Sequence, residues 1–289
     1  MIDYLKKYSW LLIVFLLLVA CQPNKRKSET EKRPVLMVTI EPLRYFTEAI
    51  AGPRFTVESI VPRGSSPETY DPTPAQLLAL ADSRAYLRIG SIGFEQVWMD
   101  RLMTNAPNLP VFNTSQGIDF ILEDEGPEPH VWTSTVNARI IADNIATALC
   151  ALDSTHTAEY LHRRDSLMAV IAQTDSLCRS LLLRPDADRT FLIYHPALSY
   201  FARDYGLRQL PIEEAGKEPT PARLKALLDL CQKEKANIIF VQPEFDRRNA
   251  ELIARQTGTR IVPINPLSYD WQSEIIKAAK ALAPNNNSK

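Results

Sequence analysis

The chain has 289 residues, with 33 Lys and Arg against 34 Asp and Glu, four histidines and four cysteines. A net charge of −1, with no basic stripe interleaved by aromatics, excludes nucleic acid as a partner. An apolar fraction of 45% suffices for the core of one large domain or of two lobes of ordinary size.

Lys6 and Lys7 precede an unbroken apolar run from Trp10 to Ala20, the pattern of a secretory leader. That run is too short to span the ~30 Å hydrocarbon core of a bilayer comfortably. Leu18-Val19-Ala20-Cys21 then places small residues directly before a cysteine. This resembles the bacterial lipobox and implies cleavage before Cys21 with lipid on its thiol. Residues 22–34 are polar, charged and aperiodic, and read as a tether. No second apolar run is long enough to cross a membrane, so a body anchored outside the cytoplasm is expected.

The body opens with a buried strand over 35–40, a helix over 43–51 and a second strand over 55–61. A helix over 74–82 leads into a strand over 85–90. Strands alternating with helices indicate an α/β fold with parallel-rich sheets flanked by helices. An internal echo indicates two such lobes. Pro72-Thr73-Pro74-Ala75-Gln76-Leu77-Leu78-Ala79-Leu80 is matched by Pro219-Thr220-Pro221-Ala222-Arg223-Leu224-Lys225-Ala226-Leu227. In each, threonine can cap a helix whose first position is proline, where the missing N–H costs nothing. The second copy also feeds an apolar strand, over 237–241.

Residues 154–183 contain no Gly or Pro and form one helical segment of about 45 Å. Its apolar stripe is read as Leu161, Leu167, Met168, Ile171, Leu177, Leu181 and Leu182. This is a backbone helix joining a lobe over 35–153 to a lobe over 184–284, with a polar tail at 285–289. His156 and His162 stand on its different faces, in ordinary surface or packing roles. Cys150, Cys178 and Cys231 form no C-x-x-C pair, and buried free thiols are expected. Trp98, Trp132 and Trp271 are read as core or lobe-lining residues, with Ser268-Tyr269-Asp270-Trp271 as a turn walling the cleft.

Two histidines sit where a chain can present a side chain into a cleft. His130 follows a proline at a helix start, in Glu128-Pro129-His130-Val131-Trp132. His195 follows the apolar strand Phe191-Leu192-Ile193-Tyr194 at its C-terminal edge. Neutral imidazole is the commonest nitrogen ligand for transition metals.

With these segments in order, the chain resembles the solute-binding proteins of bacterial ABC transporters for zinc and manganese. Those are bilobal receptors whose lobes are joined by one long helix. The similarity spans residues 35–282. Its landmarks are Pro67-Glu68-Thr69-Tyr70-Asp71-Pro72, the His130 segment, Tyr194-His195-Pro196-Ala197-Leu198-Ser199-Tyr200, and Ile264-Asn265-Pro266-Leu267. The resemblance implies metal ligands at His130 and His195, which match in kind. It also implies them at Glu68 and Asn265, where the family usually has His and Asp. The two exchanges keep one carboxylate in the set, and zinc accepts carboxylate oxygen at about 2.0–2.2 Å beside imidazole nitrogen. Glu214, Glu244 and Asp270 are reserve sources of an anionic oxygen.

Many zinc-specific members carry a His- and Asp-rich loop before the second ligand. Here Glu123-Asp124-Glu125 and Glu128 occupy that interval and read as a solvated acidic loop. The resemblance implies a monomeric, periplasmic or cell-envelope lipoprotein that binds Zn²⁺ between its lobes. It would deliver the ion to a cognate ABC permease in the inner membrane. Mn²⁺ is the alternative, because carboxylate favours harder ions. The joining helix implies small lobe movements on release. An enzyme is not expected, since neither H-E-x-x-H nor G-x-S-x-G occurs. A metal-free adhesin or structural lipoprotein on the same fold is the rival that Glu68 and Asn265 raise.

Overall fold

The structure is a computed structural model that describes residues 33–123, 126–213 and 216–284. The expected leader with Cys21, most of the tether, Glu214 and the polar tail lie outside them.

The first half runs β1 (Val35–Val38), α1 (Glu41–Ala51), β2 (Thr56–Ser59), α2 (Pro74–Ala81), β3 (Ala85–Arg88), α3 (Gly93–Asn105) and β4 (Val111–Asn113). Its strands pair in parallel in the order β2-β1-β3-β4. The two central strands are buried almost throughout because both faces are covered, which is why they read as apolar runs rather than alternating ones. A short hairpin of β5 (Leu122–Glu123) and β6 (Gly126–Pro127) follows, then α4 (Thr135–Leu152) and α5 (Thr157–Leu182).

The second half runs β7 (Thr190–Ile193), α6 (Ser199–Tyr205), β8 (Arg208–Pro211), α7 (Pro221–Lys233), β9 (Ile238–Val241), α8 (Arg248–Thr257), β10 (Arg260–Pro263) and α9 (Trp271–Leu282). Its parallel order, β8-β7-β9-β10, repeats the plan of the first. The P-T-P-A echo falls on equivalent helices, α2 and α7, each leading into the strand on the far side of its sheet's first strand. In both, the predicted cap forms: Thr73 Oγ1 accepts from the Gln76 N–H at 3.3 Å and Thr220 Oγ1 from the Arg223 N–H at 3.2 Å.

The joining helix α5 is shorter than the expected 154–183. A 3₁₀ turn at Ser154–His156 precedes it, and its 26 residues span about 39 Å. Its buried face also differs from the apolar stripe read from sequence. Tyr160, Leu167, Ile171, Thr174, Cys178 and Leu182 are buried, at intervals of three, four or seven, whereas Leu161 and Leu177 are 37% and 38% exposed. Helical phase decides the face, so a threonine and a thiol occupy core positions while two leucines do not.

This face packs against α1 and α4 on one side and α9 on the other, so the helix belongs to both halves. A single apolar cluster runs through both sheets, taking in Leu36, Phe46, Trp132, Ile171, Phe240 and Trp271. The halves therefore share this cluster rather than hinging on an exposed linker, while a second cluster with Leu192, Leu227 and Ile239 belongs to the second half alone. Cys150, Cys178 and Cys231 are free thiols, and burial pushes Cys178 up to about 11. Among the described residues, no helix is long and apolar enough to cross a membrane.

Strand order places the functional loops. In each sheet the chain leaves the first strand on one side and returns on the other, creating a switch point between β1 and β3 and between β7 and β9. Ligands bind outside the carboxyl ends of parallel strands at such points. The loops following β2, β7, β9 and β10 carry Glu68, His195, Glu244 and Asn265 respectively, and the loop after β3 leads into Gly93 at the start of α3.

Candidate metal site

Two imidazoles meet between the sheets. The Nε2 atoms of His130 and His195 lie 3.2 Å apart, with ring centroids at 5.0 Å. His130 comes from the loop before α4, and His195 stands two residues beyond β7. The sequence separates them by 65 positions.

Each ring is oriented by a carboxylate on its other nitrogen. Glu128 Oε1 lies 2.5 Å from His130 Nδ1, and Glu128 Oε2 accepts from the His130 backbone N–H at 3.0 Å. Glu213 Oε1 lies 2.7 Å from His195 Nδ1. A proton on each Nδ1 leaves both Nε2 lone pairs pointing at the same place. The expectation of a solvated Glu128 is thereby corrected: the residue is 3% exposed and holds a histidine. Burial acts to lower the His130 pKa, but the charge and hydrogen bond of Glu128, helped by Glu68 and Glu123, outweigh it and raise the value.

His195 is held from two further directions. The Gln242 side chain clamps its backbone, accepting from the N–H at 3.3 Å and donating to the carbonyl at 2.6 Å. Phe245 stacks on the ring at a centroid distance of 5.1 Å and 19° between planes. His130 is fixed through its neighbour: Trp132 Nε1–H donates to the Pro266 carbonyl at 2.8 Å, and Trp271 Nε1–H to the Trp132 carbonyl at 2.6 Å.

Glu68 reaches the same cavity. Its Oε2 accepts from the Gly93 N–H at 3.1 Å, at the first turn of α3, where the helix dipole favours a carboxylate. The approach depends on glycine, since a Cβ at position 93 would lie 2.7 Å from the Glu68 carbonyl oxygen. Behind that turn, buried Glu95 accepts from the Ile89 N–H at 2.9 Å and from the Gly90 N–H and the Thr39 hydroxyl, pinning the start of α3.

Glu68 Oε1 is buried without a hydrogen-bond partner, and so is Glu244 Oε1. Buried acceptors left unpaired are costly, and both residues line one small cavity where a cation could pair them. Burial raises the Glu244 pKa, against the pull of a backbone N–H and the charge of His195. His130, His195, Glu68 and Glu244 all line a cavity of about 20 Å³, room for one water-sized body. Among the described residues, no three or more His, Cys, Asp or Glu side chains are grouped so as to hold a metal ion with the side chains as they stand.

Asn265 stands elsewhere. Its Oδ1 accepts from the Leu267 N–H at 3.0 Å, its N–H donates to Glu274 Oε2 at 2.8 Å, and it lines a separate, larger cavity together with Asp270. Asp270 caps α9 by accepting from the Ser273 N–H at 3.3 Å. The residues that sequence reading passed over are Glu213, Gln242 and Phe245. Their signal was position alone, a polar or aromatic group just past the end of a buried parallel strand.

Comparison with known proteins agrees with this architecture. The family model for the zinc-uptake complex component A, periplasmic, matches residues 36–283. An iron ABC transporter substrate-binding lipoprotein, MtsA, of Streptococcus pyogenes serotype M6 is 30% identical over 275 residues, covering 89% of this chain and 88% of the relative. A manganese ABC transporter substrate-binding lipoprotein, PsaA, of Streptococcus anginosus is 27% identical over 273 residues, with the same coverage. A crystal structure of ZnuA superposes with a TM-score of 0.82 at 33% identity, covering 87% of this chain and 99% of that one.

Proposed function

Because the chain belongs to the zinc-uptake complex component A family, we propose that it is an extracytoplasmic receptor that captures a divalent transition-metal ion and passes it to an ABC permease. It is a solute-binding protein, not an enzyme. The relatives' description as lipoproteins, together with Leu18-Val19-Ala20-Cys21, supports a lipid on Cys21 holding the body at a membrane surface.

The observation that carries the reading is the meeting of the two Nε2 atoms at 3.2 Å. A proton on one Nε2 can bridge the pair as an N–H···N hydrogen bond, and a metal ion that displaces this proton meets both nitrogens at once. Tetrahedral zinc with Zn–N near 2.0–2.1 Å puts its nitrogens about 3.3–3.4 Å apart. Glu68 and Glu244, whose Oε1 atoms are buried and unpartnered, supply the oxygens by swinging toward the ion as it binds. The shell is then two neutral imidazoles and two carboxylates, which balances a divalent charge. Glu244 takes the place that the resemblance had assigned to Asn265.

For a given nitrogen and oxygen donor set, affinity for Zn²⁺ exceeds that for Fe²⁺ and Mn²⁺. Zn²⁺ is therefore the ion expected to bind most tightly, while the second carboxylate narrows the gap to Mn²⁺. Transport occurs by capture and release without a chemical step.

The test is competitive titration of chelated protein with Zn²⁺, Fe²⁺ and Mn²⁺, beside His130→Ala, His195→Ala, Glu68→Ala, Glu244→Ala and Asn265→Ala. One tight site lost in either histidine variant and weakened in both glutamate variants is the expected result. A tight site indifferent to both histidines would sink the proposal. Absence of any tight site would favour the adhesin alternative.

A further inference from the structure

We propose that Leu267 is a gate between the metal cavity and a larger chamber beside it, and that Asn265 sets this gate instead of binding the ion. The inference rests on the metal site proposed above and concerns how the ion enters and leaves it.

The chamber measures about 280 Å³ and lies between the halves, walled by Glu41, Arg63 and Ser65 on one side and Asn265, Ser268 and Asp270 on the other. Its walls mix these polar groups with apolar ones such as Ile40 and Val61, and its size suits a divalent ion with bound water. The metal cavity, at about 20 Å³, has no room for a hydrated ion. An ion that arrives through the chamber therefore sheds water at the boundary between the two spaces. Leu267 lines both of them, and Ser65 and Ser66, adjacent in sequence, line one each.

The local hydrogen bonds hold the partition in place. Asn265 Oδ1 accepts from the Leu267 N–H at 3.0 Å, and the Asn265 carbonyl accepts from the Ser268 N–H at 2.9 Å. The Asn265 N–H is anchored in turn on Glu274 Oε2 at 2.8 Å. The backbone of residues 265–268 is thus braced, while the isobutyl group is half-buried and free of hydrogen bonds. It can turn aside without breaking a polar contact, and it offers no donor to the ion. Glu41, the buried carboxylate of the chamber, is engaged by Arg63 at 3.0 Å and Arg44 at 3.5 Å, so the chamber passes an ion on without retaining it.

A gate changes the barrier and leaves the end states alone, so it must alter association and dissociation by one factor. A ligand alters the equilibrium instead. Stopped-flow measurement of Zn²⁺ uptake and of its removal by a chromophoric chelator, on the purified full-length chain, separates the two. Leu267→Ala is expected to speed both directions about threefold or more while the Kd stays within about twofold. Asn265→Ala should behave alike, having released the same turn. Leu267→Met, which keeps the bulk, should stay near wild type.

A rise in Kd of an order of magnitude in Asn265→Ala would overturn the proposal, as would unchanged rates in Leu267→Ala. His130→Ala is the separate control. If it binds Zn²⁺ as wild type does, the metal site itself is misplaced and the gate falls with it. If His130→Ala abolishes binding while the Leu267 variants leave both rates alone, only the gate is lost.

Discussion

Trp271 donates its indole N–H to the carbonyl of Trp132 at 2.6 Å, joining the last helix to the loop that carries His130 across 139 positions of sequence. Trp132 in turn donates to the Pro266 carbonyl, so the two indoles form a clasp beside the His130 ring. Trp271→Phe keeps most of the buried ring and leaves the Trp132 carbonyl without its donor. A buried acceptor stripped of its partner costs about 1–3 kcal/mol. The expected outcome is a lower midpoint in chemical denaturation with an unchanged slope. A variant as stable as wild type would show that the clasp contributes nothing.

Acid should weaken metal binding earlier than free imidazole would suggest. The His130 pKa is raised above its ordinary 6.5, because the Glu128 charge and hydrogen bond outweigh burial. Protonation competes with the ion, so affinity falls as pH drops, starting above 6.5. For the metal-free protein the sign is opposite. A histidine whose folded pKa is raised contributes stability that is full below its unfolded value and is lost as pH rises through the folded one. Titration and denaturation across that window should move in opposite directions. Affinity that stays flat between about pH 8 and the ordinary imidazole value would contradict this.

Gly93→Ala tests the support of Glu68. The added methyl would meet the Glu68 carbonyl at 2.7 Å and its Oε2 at 2.9 Å, distances that force the loop to move. Position 93 opens α3 in ordinary helical conformation, so alanine costs the helix nothing. Weaker metal binding with near-native helical content is expected by titration and circular dichroism. Wild-type affinity would show that Glu68 binds no metal or that its loop adapts.

Glu213→Gln and Glu128→Gln probe the carboxylates behind the imidazoles. An amide can still accept from Nδ1, but without the charge that makes the ring a stronger donor to metal. Changes in such outer partners typically cost about 10–100-fold in affinity. Both variants are expected in that range, well short of the loss in His130→Ala. Affinities equal to wild type would leave these carboxylates a purely structural role.

Much of the fold was legible because its signals are local. Apolar runs of strand length, helices started by Thr-Pro, and a repeated P-T-P-A segment define two parallel sheets of one plan. The two histidines were legible for the same reason, since each lies at a strand end or helix start that must open into a cleft. The face of α5 was misjudged because residue type was read ahead of helical phase, and Cys178 and Thr174 lie inside while Leu161 and Leu177 do not.

Sequence by itself determined the element order, the doubled architecture and the pair His130 and His195, all of which depend on neighbours a few residues apart. Tertiary structure alone decided that Glu213 orients the His195 ring. It also put Glu244 on the wall of the small cavity that both histidines line and Asn265 on that of its neighbour, and ran one apolar cluster through both sheets. Those outcomes depend on which loops meet when parallel strands align their carboxyl ends. Contacts of that kind join positions 18 to 139 residues apart and leave no periodic trace along the chain.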